Sequence, residues 1–206
     1  MPWPTNNRPI RFYFLNNTYY GRAEFLEGKN RGEIWGIQAW ETYRQQPGEK
    51  VRFKEHNDTR FYLPTYQYFF EFPFQVRKAP LVAYIGDREL NGQSYHLIFA
   101  TWETAEPHPD FDQYIVWIHT KTKRIEYTEY TVRDLMRFAK GAMHFTQFQT
   151  VNNVLIPFTM TALSSVEDQD YLHRLQIESV TFDTAPKKAF FPDPSKPFTA
   201  DGKPER

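Results

Sequence analysis

The chain has 206 residues and equal numbers of basic and acidic side chains, 25 Lys plus Arg against 25 Asp plus Glu. A balance of zero removes the general electrostatic attraction to nucleic acid or to an anionic membrane. Cysteine is absent, which excludes disulfides, thiol nucleophiles and thiolate metal sites.

The length suits one domain with a substantial core. With 19 Phe, 13 Tyr and 5 Trp, that core is aromatic and β-branched, a composition that favours strands. Met1-Pro2-Trp3-Pro4 does not read as an export signal, and no run of apolar residues is long enough to span a bilayer.

After a Pro/Asn-rich lead, Ile10 to Leu15 and Tyr19 to Leu26 read as strands joined through Asn16-Asn17-Thr18. Glu33 to Tyr43 alternates Ile34, Gly36 and Gln38 with Trp35, Ile37 and Ala39; it reads as a third strand, with a helix as the alternative. Gln45 to Gly48 is a turn and Val51 to Phe53 a short strand. The stretch Phe61 to Phe74 follows, and eight of its fourteen residues are aromatic. Eight such rings offer on the order of 1,200 Å² of apolar surface, more than a soluble monomer normally leaves uncovered. Pro64 is admissible in a first helical turn and Pro73 is a stop, which predicts about two turns of helix between them. Tyr62, Tyr66, Phe69 and Phe70 then share one face, with Gln67 and Glu71 turned away. Such a helix either plugs a sheet or forms a lid on a ligand.

Leu81 to Leu90 and Gln93 to Trp102 flank Asn91-Gly92, whose residues tolerate the positive φ of a type I′ hairpin turn. Gln113 to His119 pairs with Arg124 to Thr131, and Val132 to Gly141 contains a turn of helix. Met143 to Val151 and Val154 to Ala162 flank Asn152-Asn153 as another hairpin, and Tyr171 to Phe182 is a last strand. Several strands are apolar on both sides, Tyr95, Leu97 and Phe99 facing away from Ile98, Ala100 and Trp102, so both faces of the sheet need cover. Five prolines among residues 185–206, with several lysines, mark a flexible Pro/Lys-rich tail in which Phe190 and Phe191 are the docking candidates.

Motifs for chemistry are sparse. No GxSxG elbow, GxGxxG or GxxxxGK occurs. His108, Asp110 and Asp112 share a loop but lack the frame of a calcium site. His96 and His119 read as hydrogen-bonded sheet residues, with an acid–base pair as the sharper alternative. Glu126 and Glu129 fall on opposite faces of a strand, which argues against a carboxylate pair.

The succession Phe72-Pro73-Phe74, Tyr84-Ile85-Gly86, Asn91-Gly92-Gln93-Ser94-Tyr95, Tyr114 to His119 and Asn152 to Pro157 resembles a set of secreted bacterial proteins that look like members of the lipoprotein-carrier superfamily, the LolA/LolB-like half-barrels. The resemblance covers roughly residues 9 to 184. It implies a curved antiparallel sheet wrapped around helices, an apolar cavity, and a periplasmic or extracellular location. It carries over no functional residue.

The expectation is therefore a mainly β protein: a curved antiparallel half-barrel with one or two short helices on its concave face, one domain over residues 1–184, and the tail. The expected function is non-enzymatic binding or carriage of a lipid or acyl chain, with a solid-core envelope scaffold or interaction protein as the alternative. Trp35, Tyr66, Phe69, Phe70, Phe74, Trp102 and Trp117 are the expected pocket lining. No catalytic residue, cofactor, metal, nucleic-acid partner or membrane span is expected.

Overall fold

The structure, a computed structural model, describes residues 7–133, 139–196 and 198. Its strands form two antiparallel meanders. β1 (Ile10–Leu15), β2 (Tyr20–Phe25), β3 (Ile34–Gln38), β4 (Glu41–Gln45) and β5 (Arg52–Phe53) make a five-stranded sheet. β6 (Leu81–Leu90), β7 (Gln93–Thr101), β8 (Gln113–His119), β9 (Ile125–Val132), β10 (Ala139–Val151), β11 (Val154–Leu163) and β12 (Tyr171–Gln176) make a seven-stranded one. Two helices, α1 (Asn57–Phe70) and α2 (Phe72–Val76), separate the sheets along the chain. The expected class, mainly β and antiparallel with few short helices, is the one observed. What the sequence read as one β-rich domain divides into two compact units, residues Met1–Phe72 with Asp183–Arg206, and Pro73–Phe182.

In the first unit, the register Phe12↔Ala23↔Trp35 aligns Ile10, Phe12, Phe14, Phe25, Trp35 and Ile37 on one face of the sheet. α1 packs there, burying Leu63 with Ala23 and Ile37. The helix is longer than the two turns read from its prolines, because it starts at Asn57 and carries Pro64 inside. Pro64 removes the bond to the Arg60 carbonyl, a local cost that the buried side chains of Tyr62, Leu63 and Phe69 offset through packing. Gln67 and Glu71 are not turned away but buried. The Gln67 amide donates to the Leu15 carbonyl (3.1 Å) and to Glu71 Oε1 (2.8 Å), and the Asn17 N–H donates to Glu71 Oε2 (3.0 Å). The end of α1 thereby supplies the polar partners that the β1–β2 turn lacks.

The opposite face of this sheet carries part of the segment expected to be a flexible tail; residues 197 and 199–206 of that segment lie outside the described residues. Tyr20, Gln38 and Tyr43 lie on it, buried, and Phe191, Asp193 and Phe198 of that segment contact the first two. Ala189 and Phe190 are buried, and Phe191 and Phe198 pack on Tyr20 at 5.4 and 5.3 Å between centroids. The Gln38 amide donates to the Asp193 carbonyl (2.6 Å) and accepts from the Asp193 N–H (3.1 Å), as a neighbouring strand would. Lys196 reaches Glu41 (2.6 Å) and lies over Phe53. Proline density suggested disorder; the aromatic residues between the prolines bury enough surface to order the segment.

In the second unit the Asn91-Gly92 turn has φ of 50° and 72°, and Asn152-Asn153 has 48° and 63°, as type I′ turns require. Register across the sheet aligns Leu97, Trp117, Tyr127, His144, Thr161 and Arg174 on one face. Tyr95, Leu97, Trp117, Tyr127, Ala142 and Leu163 form its core, closed by Val166 from the β11–β12 connection. Arg88 ties that connection down through Glu167 (2.9 Å) while lying 5.9 Å from the Trp117 ring. On the other face Ala100, Val116, Thr128, Met143, Phe145 and Met160 are buried as well. β12 stops at Gln176, short of the predicted Phe182. Of the stretch Val132 to Gly141, in which the sequence predicts a helical turn, Val132 ends β9 and Ala139 begins β10, and residues 134–138 lie outside the described residues.

Candidate functional site

The aromatic layer between α1 and the five-stranded sheet is the first candidate. Ile10, Phe12, Ala23, Phe25, Trp35, Tyr62, Leu63 and Tyr66 enclose a cavity of about 20 Å³, with Thr59 as its single hydroxyl neighbour besides the tyrosines. Trp35 is held by three contacts: its indole N–H donates to Glu33 (2.8 Å), the Phe25 ring meets it edge-on at 4.9 Å, and the Arg44 guanidinium covers its face at 4.1 Å. Arg44 in turn pairs with Asp58 in the first turn of α1 (2.6 Å). Tyr66 packs on Phe12 at 5.1 Å, and burial pushes its phenol well above the ordinary range. Phe70 meets Phe14 at 6.2 Å.

Of the seven residues read as pocket lining, Trp35 and Tyr66 thus share one cavity and Phe70 extends the same layer. Phe69 packs along the helix on Tyr68 and Phe72 instead. Phe74 is half exposed, with Arg77 beside its ring. Trp102 meets Tyr114 edge-on at 5.8 Å, and Trp117 is buried in the core of the second unit. Sequence reasoning missed Phe12, Phe25 and Leu63, which period-two alternation in the strands and the Leu63–Tyr66 spacing in the helix could have paired.

The second candidate is a polar groove of about 350 Å³ in the second unit. Its floor is the β10–β12 surface, carrying His144, Thr159, Thr161 and Arg174, and its rim includes Gln169 and Tyr171. Arg174 Nε donates to Thr161 Oγ1 (3.2 Å), with the guanidinium 5.7 Å from the Tyr171 ring centre. His144 lies flat on Tyr127 at 4.0 Å, and burial lowers its pKa, so the ring is neutral near neutral pH. Nothing in the sequence singled out this groove.

His96 and His119 each make a hydrogen bond within the second sheet. His96 Nδ1 is 2.6 Å from Asp87 on the neighbouring strand of the β6–β7 hairpin, with Asp87 exposed and His96 half-buried. The carboxyl of Asp87 is held below its usual range by its bonds to His96 and to Tyr84. His119 projects to the opposite face, where its Nδ1 accepts from the Lys121 and Thr122 N–H groups and its Nε2 meets Gln93. Among the described residues no group of three or more His, Asp or Glu side chains is arranged to hold a metal. Among them, too, no helix is long and apolar enough to cross a membrane.

No family model and no curated protein matches the chain. Among solved structures it is similar to a LolA superfamily protein from Nitrosomonas europaea, at 9% identity over 88% of this chain and 80% of that one, with a TM-score of 0.49. It is also similar to a domain named for outer membrane lipoprotein sorting from Vibrio parahaemolyticus, at 11% identity over 76% of this chain and 70% of that one (TM-score 0.43). A DUF1329 family protein from Desulfovibrio piger is similar at 10% identity over 84% of this chain and 74% of that one (TM-score 0.42).

Proposed function

We propose that the protein binds an apolar ligand, a lipid or acyl chain, without performing chemistry on it, and that the aromatic layer under α1 is where the ligand enters. The observation that supports this reading is the wall composition: Phe12, Phe25, Trp35, Leu63 and Tyr66 line one cavity with almost no polar group among them. Apolar walls with few polar anchors are how proteins enclose such ligands. At about 20 Å³ the space holds about one water, so an acyl chain requires α1 to lift from the sheet. The lift breaks the Arg44–Asp58 pair at one end of the helix and the Gln67 and Glu71 bonds at the other. A periplasmic or extracellular setting suits a carrier of this kind.

The small cavity volume favours a second reading, a solid-core interaction protein in which the same rings are only packing. Native mass spectrometry of gently purified protein, with titration of a fluorescent fatty acid, separates the two. The carrier reading expects a co-purified or titratable lipid and a several-fold loss of uptake in Trp35→Ala and Tyr66→Ala. Absence of both bound lipid and fatty-acid uptake would sink it and leave the solid core.

A further inference from the structure

The polar groove on β10–β12 has no part in the reading above. We propose that it is a binding site for a saccharide unit bearing a carboxylate, a sugar acid. The groove is built rather than incidental in three respects. First, its volume of about 350 Å³ falls within the range of small-ligand sites.

Second, its chemistry is one-sided. The lining consists of hydroxyls, amides, an imidazole and one guanidinium, with Leu163 the single aliphatic residue and no carboxylate. Thr159 and Thr161 are buried at its floor, although their alternation places them on a face that is apolar elsewhere, at Leu97, Trp117 and Ala142. A sheet face that changes from apolar to hydroxyl and amide within one strand suits a ligand that hydrogen-bonds all round. His144, neutral and stacked on Tyr127, adds a donor or an acceptor. The exposed Tyr171 ring offers the flat apolar surface against which the C–H face of a sugar packs. Arg174 makes no ion pair among the described residues, and its bond to Thr161 orients a charged fork over the groove for a carboxylate.

Third, the backbone is bent at two lining residues. Gln147 has φ of 52° within β10, where the pairing with β11 skips it, and Gln169 has φ of 55° in the β11–β12 connection. Neither is glycine or asparagine, and such conformations persist where the surroundings over-determine them, often at binding sites. The bend at Gln147 places at the groove an amide side chain that regular strand geometry would direct to the opposite face.

The carboxylates near the groove set the limit on charge. Glu126 acts on His144 through space, and Asp168 is occupied by Ser165. A single ligand carboxylate at Arg174 is therefore favoured over a multiply charged anion.

The test is amide chemical-shift mapping of the full chain titrated with glucuronate, galacturonate, glucose and inorganic phosphate in parallel. The expected result is saturable shifts around residues 144, 161 and 174 with a sugar acid, and affinity about tenfold weaker for glucose. Arg174→Gln should erase that preference while leaving the thermal midpoint in place; Arg174→Lys should restore part of it. No shift with any saccharide overturns the proposal, as does phosphate binding as well as the sugar acids, or a preference that survives Arg174→Gln. Since the groove and the α1 layer lie in different units, lipid uptake in the same Arg174→Gln protein tells failure of one site from failure of the other.

Discussion

Single residues in this protein are chosen by what their neighbours leave room for. Gly36 pairs with Tyr43 across β3 and β4, and a Cβ there would stand inside the Tyr43 ring, which is buried and cannot swing away. Gly36→Ala should therefore cost roughly 2–3 kcal/mol, read as a lower urea midpoint with unchanged slope. The Asn91-Gly92 turn is the contrasting case, because the residue types themselves announce the positive φ. The β3–β4 turn announces nothing. Ala39 and Trp40 hold φ of 50° and 60°, which neither side chain favours, and the sequence accordingly read one long strand through them. The Trp40 ring packs on Tyr19, itself at φ 56°, at 5.6 Å, so two strained turns hold each other by an aromatic contact no local pattern contains. Burial with Glu71 nearby pushes the Tyr19 phenol up to about 12.

At the scale of elements, the C-terminal segment behaves as an added layer on the first sheet. Its docking depends on Gln38, a fully buried amide bonded twice to the Asp193 backbone. Gln38→Ala strips both bonds and should weaken docking by about 1–3 kcal/mol. Hydrogen exchange across residues 187–196 and limited proteolysis after Lys187 or Lys188 should both speed up, while β6 to β12 stay unchanged. Equal protection in mutant and parent would mean that the aromatic contacts at Tyr20 suffice without the clamp. The edge strand β6 shows a different element-level device. It exposes Val82, Tyr84 and Ile85, yet carries a register shift between Tyr84 and Gly86, where φ reaches 118°, followed by Asp87, Arg88 and Glu89. A kinked, charged edge resists pairing with a further strand.

For the molecule as a whole, half-buried histidines tie stability to pH. His173 is desolvated to a pKa of about 4, and burial lowers His144 in the same direction. The unfolded chain, with ordinary histidines near 6.5, binds more protons than the folded one between about 4 and 6.5, so stability falls as pH drops through that window. Glu129, raised by burial, works the other way around the upper carboxylate range and blunts the lower part of the slope. The guanidinium midpoint should be higher near neutral pH than near pH 5, and His173→Leu should flatten the difference. An unchanged slope in that variant would show that His173 carries none of it.

The sequence by itself determined most of the strands (though not the break between β3 and β4), the hairpins at Asn91-Gly92 and Asn152-Asn153, the antiparallel class and the need to cover both faces of the sheet, because these follow from side-chain alternation and turn chemistry within a few residues. The tertiary structure decided the rest. It split the strands into two sheets, set α1 on Phe12 and Trp35, buried Gln67 and Glu71 under the β1–β2 turn, and brought Phe191 and Asp193 onto Tyr20 and Gln38. It also brought His144, Thr161 and Arg174 into one groove, from strands whose separation in sequence hides their shared register. Each of those outcomes depends on contacts between residues far apart in the chain, whose energies no local window contains.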